Sequence, residues 1–179
     1  MTDDAATRLP PLAWSEAIAE IPEKGLRRHR SATAEECHAV ATELDIVSCE
    51  RIDADYRIVA RGPKSFALEG KLDVDVTQEC VVTLEPVVGH LHIDLAIDFV
   101  PEPQAAVGDE VDPFAKAEVE PIENGHLAIG RIVLEEIAAN LDPYPRAPGS
   151  DFEWREGPSA SPDNPFAALA RLKKPSGET

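Results

Sequence analysis

The sequence is poor in the residues that build several common kinds of site. Only 5% of its 179 residues are aromatic, so the core that its 43% apolar content supports has to be mainly aliphatic. The three cysteines, Cys37, Cys49 and Cys80, contain no CxxC pair and leave one thiol over in any pairing. We therefore expect no disulfide framework, no cysteine zinc site and a reducing compartment.

Long apolar runs and phosphate-binding glycine patterns are also missing. No stretch approaches the roughly 18–20 apolar residues that span a bilayer, and the first residues lack the basic and apolar regions of a secretory signal. The sequence contains neither G-x-G-x-x-G nor a Walker pattern. These absences predict a cytoplasmic protein with no membrane partner, no small-molecule substrate and no cofactor.

Basic residues are scarce in the middle of the chain. The formal net charge is −17, and residues 72–142 contain sixteen Asp or Glu against only Lys116 and Arg131. Phosphate backbones repel such a region, so we expect it to face a basic protein or solvent. The candidates for contact with a basic protein are Asp109, Glu110 and Asp112.

The opposite charge is concentrated in a short run between residues 24 and 30. RNA phosphates or an acidic surface could bind this run. It could equally be a solvated loop that balances the acidic half of the chain. The candidates for RNA contact are Lys24, Arg27, Arg28, Arg30 and, far along the chain, Arg146.

Alternating residues predict a β-sheet. Even-numbered positions are mostly apolar from Ile52 to Ala60 and from Phe66 to Val76, with mainly charged residues between them. A period of two is typical of half-buried strands. Cys80–Leu84 is predicted as a third, short strand and Val87–Val100 as a fourth. Their short connections favour an antiparallel β-meander.

Two helices are predicted to pack on this sheet. Thr33 and Glu36 form a capping-box pattern, and an apolar stripe follows at Cys37, Val40, Ala41 and Leu44. The second helix is predicted at residues 130–141, ended by the proline at 143. Its expected inward residues are Leu134, Ile137, Ala138 and Leu141. The segment 12–21 is compatible with either a strand or a helix.

The predicted architecture is a single α+β domain over residues 1–156. Within it, residues 101–121 are rich in proline, alanine and acids and lack periodicity, which indicates a mobile acidic loop. Residues 157–179 are predicted to be a flexible C-terminal tail with a short helix at 165–174.

No pattern of side chains indicates catalysis. His90 and His92 share a strand face, as some zinc ligands do, but that face is the polar one, which favours solvated histidines. Cys37 and His38 are neighbours on a helix and point in different directions. The many carboxylates have no cleft signature around them, so general acid–base chemistry is not expected.

Two short segments carry a family resemblance. The first, residues 76–86, reads VTQECVVTLEP, and the second, residues 142–146, reads DPYPR. Together with residues 21–25, 34–44 and 125–136, they make the chain similar to the YceD family, named for a large ribosomal RNA subunit accumulation protein, and most similar to its alphaproteobacterial branch. The resemblance implies a role in accumulation, processing or assembly of large-subunit ribosomal RNA.

The chain departs from the family at a point that concerns metal binding. Many members have a CxxC in the first motif and further cysteines near the C-terminus, which implies zinc. Here Cys80 is retained, Thr83 stands where the second cysteine would be, and no metal is expected. The motif residues are interpreted as structural, with Tyr144 expected to provide a buried ring. They are Cys80, Thr83, Leu84, Glu85, Pro86, Asp142, Pro143, Tyr144, Pro145 and Arg146.

The resemblance and the charge pattern together predict a non-enzymatic factor in large-subunit biogenesis. Its expected partner is a ribosomal protein or a large-subunit precursor particle, bound through the acidic region, or ribosomal RNA, bound through the basic run. A general acidic protein-interaction module is an alternative. An RNA-processing hydrolase is another, but it would need metal-binding carboxylates that the sequence does not single out.

Overall fold

The computed structural model describes residues 10–101 and 118–150. These residues form an α+β fold with two α-helices and seven strands. In chain order the elements are β1 (Glu16–Ala17), a 3₁₀ helix (Ile18–Glu20), β2 (Leu26–Ser31), α1 (Ala34–Glu43), β3 (Ser48–Gly62), β4 (Ser65–Glu79), β5 (Pro86–Pro101), β6 (Glu118–Ile122), β7 (His126–Leu127) and α2 (Ile129–Asn140).

Five strands form the main sheet, in the order β2-β3-β4-β5-β6. The antiparallel pairing predicted for the long strands is confirmed, since β3, β4 and β5 pair in this way. A strand that was not predicted, β6, is added at one edge and runs parallel to β5, so the sheet is mixed. The five residues of β6 are too few to show an alternating pattern, and Pro121 is tolerated because β6 has only one neighbour. Strands β1 and β7 form a separate two-stranded sheet.

The basic run lies at the opposite edge of the sheet and is a strand rather than a loop. Its backbone pairs with β3 from Leu26 opposite Ile58 to Ser31 opposite Asp53. Sequence periodicity misses this strand because five of its six side chains are polar and do not alternate with apolar ones. Positive charge on an edge strand opposes pairing with the sheet edge of another molecule. A basic sequence is therefore compatible with an edge strand.

The core lies between one face of the sheet and the two helices. The predicted even-numbered face is confirmed by fully buried Ile52, Ile58, Leu68 and Leu72. Cys37, Val40 and Ala41 of α1 belong to the same apolar cluster. The capping box is also confirmed: the Thr33 hydroxyl accepts a bond from Glu36 N at 3.2 Å, and the Glu36 carboxylate accepts one from Thr33 N at 2.9 Å.

The inward face predicted for helix α2 is confirmed at Ile137, which is buried, and in part at Leu134 and Leu141, which pack against the core, but it is wrong at Ala138. The buried residues of α2 are Ile129, Gly130, Ile132, Val133 and Ile137, whereas Ala138 is exposed. Leu134 and Leu141 are only partly buried. The helix is apolar on most sides, so its periodicity does not identify the inward face. Gly130 marks the inward face, because a Cβ at this position would lie 2.0 Å from the backbone oxygen of Leu12. The backbone N–H of Gly130 also donates to Trp14 O.

The outer face of the sheet is covered by charged side chains that pair across strands. Arg51 contacts Asp53 at 2.9 Å and Asp75 at 2.7 Å, and His90 Nδ1 lies 2.7 Å from Asp75. His92 is hydrogen-bonded to Asp73. The predicted polar placement of the two histidines is therefore confirmed, and each histidine is held by an aspartate on β4.

Several predictions concern residues outside the described ranges. The acidic loop lies there from residue 102 to residue 117, with Asp109, Glu110 and Asp112, and so does the C-terminal helix at 165–174. Residues 118–121, predicted to belong to that loop, are instead part of β6. Among the residues that are described, no helix is long and apolar enough to cross a membrane.

Candidate functional site

The two motif segments meet at one end of the main sheet. We call this region the motif corner and define it as residues 45–47, 78–88 and 142–147. The backbone N–H of Val81 donates to Pro145 O at 2.9 Å, and the Gln78 side-chain amide donates to Asp142 O at 2.9 Å. Two segments separated by some sixty residues in the sequence are thus joined by direct hydrogen bonds.

The first motif contains a turn where a third strand was predicted. Strand β4 continues to Glu79 and β5 begins at Pro86. Between them, Leu84 N donates to Cys80 O at 2.9 Å, and Cys80 N donates to Glu85 O at 2.8 Å. The prediction is wrong because the sequence VVTL has high β propensity, whereas its local hydrogen bonds close a tight turn.

The side chain of Cys80 lies buried beneath this turn and accepts hydrogen bonds from both motifs. Thr83 N donates to its Sγ at 3.4 Å, and Ala147 N donates at 3.3 Å. The Thr83 hydroxyl and these backbone N–H groups favour the thiolate, and they lower the pKa of Cys80 to about 6. The sulfur therefore links the two motif segments from the inside.

Leu84 has an unusual backbone conformation in the same turn. Its φ is +61°, in the left-handed region that costs a residue with a Cβ roughly 1–2 kcal/mol. Its side chain is 67% exposed, so burial offsets little of that cost. Strained residues of this kind are concentrated at functional sites.

The second motif exposes the residue that was expected to be buried. Tyr144 is 71% exposed, so the interpretation of its ring as buried packing is wrong. The backbone explains the difference: Tyr144 N donates to the Asp142 carboxylate at 2.9 Å, and the neighbouring Pro145 is the residue that is buried. The motif turns its proline inward and its aromatic ring toward solvent.

The basic candidates do not form one site. Lys24, Arg27 and Arg28 are exposed on or beside β2, whereas Arg146 lies in the motif corner. Arg27 is opposite Arg57, nine residues along β3 from the corner end at Ser48, or about 30 Å at the usual rise of a strand. This separation removes Arg146 from the cluster of RNA contacts that the sequence predicts.

Arg30 is engaged by a buried carboxylate that sequence reasoning missed. Glu16 is only 3% exposed and accepts hydrogen bonds from Arg30 and from the Tyr56 hydroxyl, both at 2.8 Å. Arg28 Nε lies 3.5 Å from the same carboxylate. Burial raises the pKa of Glu16, but the bonds from Arg30 and Tyr56 outweigh burial and leave the pKa below its ordinary value. Arg30 therefore has a structural role in the basic run.

Arg27 and Arg57 are two exposed basic residues of this edge. They lie directly opposite each other in the β2–β3 register and flank a cavity of about 240 Å³, and Asp55 and Glu69 line the same cavity beside them. Like charges in this position repel each other. Within the described ranges neither of them forms an ion pair. Arg57 is absent from the sequence-based candidates because only the strand register reveals its position.

The motif corner does not fit a metal ion. Cys80 is its single thiol, Thr83 occupies the place of the second cysteine, and protein N–H groups already bond to the sulfur. Over residues 10–101 and 118–150, no three His, Cys, Asp or Glu side chains are grouped as metal ligands. The other two cysteines, Cys37 and Cys49, are buried in the core, where desolvation raises the pKa of both.

Comparison with known proteins gives one match. A family model described as "Large ribosomal RNA subunit accumulation protein YceD" matches residues 68–173, more than half of the chain and a range that includes both motif segments. No curated protein matches the chain. No solved structure matches it either.

Proposed function

Since this chain belongs to the YceD family of large ribosomal RNA subunit accumulation proteins, we propose that it is a non-enzymatic factor that binds a basic ribosomal protein during assembly of the large subunit. The family description ties the chain to accumulation of large-subunit ribosomal RNA. The nature of the partner and the absence of catalysis are our proposal, and the charge distribution of the motif corner supports it.

The observation that carries this proposal is a set of carboxylates at the motif corner. The corner contains one basic residue, Arg146, and four exposed carboxylates, which are those of Asp45, Glu79, Glu85 and Asp142. In the part of the chain that the structure describes, none of these four carboxylates lies in an ion pair, although those on the outer face do. Unpaired carboxylates attract a basic protein and repel RNA phosphates.

Several titratable groups elsewhere are engaged in internal pairs. Glu16 binds Arg30 and Tyr56, and the aspartates of β4 bind His90 and His92. A general acid or base needs a side chain that can reach a substrate proton. Groups committed to internal pairs favour a binding protein over an enzyme.

A second candidate function is direct contact with precursor RNA at the β2 edge. The observation that favours it is the repulsive Arg27–Arg57 pair, since a phosphate between two guanidinium groups would relieve their repulsion. Lys24 and Arg28 could add further phosphate contacts there. This candidate predicts a strong decrease of affinity with salt.

Sedimentation of a tagged copy from growing cells through a low-salt density gradient tests the general role. We expect comigration with large-subunit precursors, and we expect this comigration to persist in particles that resist ribonuclease. A signal that ribonuclease removes would favour the RNA candidate. A protein that stays at the top of the gradient with and without ribonuclease would contradict stable binding to the precursor.

Two matched double variants separate the protein candidate from the RNA candidate. Asp45→Asn with Glu79→Gln removes two charges at the motif corner while keeping side-chain shape, and Asn tolerates the positive φ of residue 45. Arg27→Gln with Arg57→Gln removes two charges at the β2 edge. We expect the first pair to release the protein from the particle and the second to leave it bound. The reverse result would favour RNA.

A further inference from the structure

We propose that the motif corner is the docking surface for this partner, and that its occupant is a short protein segment with apolar side chains flanked by Lys or Arg. The inference rests on the proposed function and names the contact surface. It follows from three features of the corner: exposed apolar side chains, a strained leucine and the charges around them.

The exposed apolar side chains of the described chain are concentrated at this corner. The described residues include six large apolar side chains that are exposed. Five of the six lie in the motif corner: Val47, Val81, Leu84, Val88 and Tyr144. The sixth, Val119, lies on β6 at the edge of the sheet. Grouped apolar side chains with polar residues around them are typical of protein-binding surfaces.

Hydrogen bonds and strand register bring these side chains to the same end of the sheet. The Val81–Pro145 bond holds the first motif beside Tyr144. Val88 is opposite Thr77, which is opposite Ser48, the residue after Val47. Beside Val47 lies a cavity of about 370 Å³, lined by Asp45, Ile46, Val47, Gln78, Glu79 and Pro145. A cavity beside projecting apolar groups suits a side chain from a partner.

The conformation of Leu84 indicates that a leucine at this position does not stabilise the fold. Glycine adopts a positive φ without the Cβ penalty, so it would suit the turn better than leucine. Leu84 is instead exposed on the tip of a turn whose backbone is fixed on both sides, by Cys80 O and by the Glu85–Cys80 bond. Fixing an anchor residue before binding reduces the entropy lost on association. We therefore assign Leu84 as the central apolar contact.

The surrounding charges select the occupant. Asp45 and Glu79 line the cavity, and Glu85 and Asp142 lie elsewhere in the motif corner. These four carboxylates favour Lys and Arg next to the apolar segment, and they disfavour a nucleic acid or an anionic lipid surface. A basic protein segment is thus the occupant that both the apolar and the charged features fit.

Leucine-to-glycine substitution gives a sharp test because it separates binding from stability. Purified large-subunit ribosomal proteins would be titrated one at a time against the full-length chain, and the tightest binder would be kept as the probe. We expect Leu84→Gly and Tyr144→Ala each to weaken its binding about tenfold or more, as loss of a central anchor does. We expect Leu84→Gly to leave the melting temperature unchanged or raise it. Val119→Ala, at the other exposed apolar residue, should leave affinity unchanged.

Each other outcome has a defined meaning. If the probe binds Leu84→Gly and Tyr144→Ala as tightly as it binds the unmodified chain, the docking surface is elsewhere and the proposed function stands. If no large-subunit protein binds the unmodified chain, the protein partner of the proposed function is wrong and this proposal is overturned with it. If a peptide of residues 151–179 displaces the probe, the corner is a site for the chain's own C-terminal segment, and the proposal is overturned.

Discussion

On the outer face of the sheet, charged side chains neutralise each other across strands, whereas at the motif corner exposed apolar side chains lie near carboxylates that form no ion pair within the described residues. Arg51, Asp75 and His90 form one such charge cluster on the face. At the corner, the Cys80 sulfur and the backbone of the second motif use their hydrogen bonds internally, while Leu84 and Tyr144 are exposed. The two regions belong to the same sheet and expose opposite chemistry.

The difference shows why total charge is a poor guide to function in this protein. The chain has 34 acidic and 17 basic residues, which indicates only that a basic partner is possible. Acids that already have basic partners offer little to another molecule, because a new contact would have to replace an existing one. The carboxylates at the corner lack such partners within the described ranges and adjoin apolar groups. Location and pairing therefore support the motif corner as the proposed binding surface.

The largest expected effect comes from removing the buried acceptor at the corner. Cys80→Ala leaves the N–H groups of Thr83 and Ala147 without their sulfur acceptor. An unsatisfied buried donor costs about 1–3 kcal/mol, so the free energy of unfolding should fall by at least that amount. Urea denaturation of both proteins measures it. An unchanged free energy of unfolding would mean that the sulfur does not join the two motifs.

The same sulfur predicts a pH effect with a definite sign. The pKa of Cys80 is lowered from 9.0 to about 6, so between these values the unfolded chain binds a proton that the folded chain has released. Stability then rises with pH. The advantage of the unmodified protein over Cys80→Ser should therefore grow as pH increases from 6 to 9, and this pH-dependent gain should be absent below pH 6. Thermal denaturation across this range tests it, and equal pH dependence in the two proteins would contradict it.

A smaller effect of opposite sign is expected at Leu84. Glycine removes the strain of a positive φ but gains freedom in the unfolded chain, so Leu84→Gly should change stability by about 0 to +1 kcal/mol. Leu84→Ala keeps a Cβ and should not be stabilising. The two variants both remove the apolar side chain, and the difference between their melting temperatures isolates the strain. A melting temperature that glycine lowers more than alanine would show that Leu84 is not strained.

Much of the fold could be predicted from the sequence because its long strands and α1 have clear periodicity. The alternation from Ile52 to Val76 and the Thr33 capping box are local signals that tertiary structure leaves intact. The missed strands of the main sheet, β2 and β6, lie at its edges, where side chains have only one neighbouring strand and need not alternate. Edge position thus explains both omissions.

The candidate site was less predictable because it depends on contacts between distant segments. The two motifs could be named from their sequence, but the Val81–Pro145 bond and the exposure of Tyr144 depend on how the chain folds back. Arg57 became a candidate only through its register with Arg27. The left-handed conformation of Leu84 has no sequence signal, since glycine or asparagine is usual there.

Small effects on stability, and none on binding, are expected on the outer face. Variants there test whether its charge pairs take part in partner binding. Asp73 has one exposed partner, His92, so Asp73→Asn should cost less than about 0.5 kcal/mol. Asp75 accepts two bonds from Arg51, at 2.7 and 3.3 Å, and one from His90. Asp75→Asn should therefore cost more, about 1 kcal/mol. Neither change should alter binding of the ribosomal-protein probe. If either one weakens that binding as Leu84→Gly is expected to do, the partner contacts the face as well as the corner, and the contrast between the two regions no longer holds.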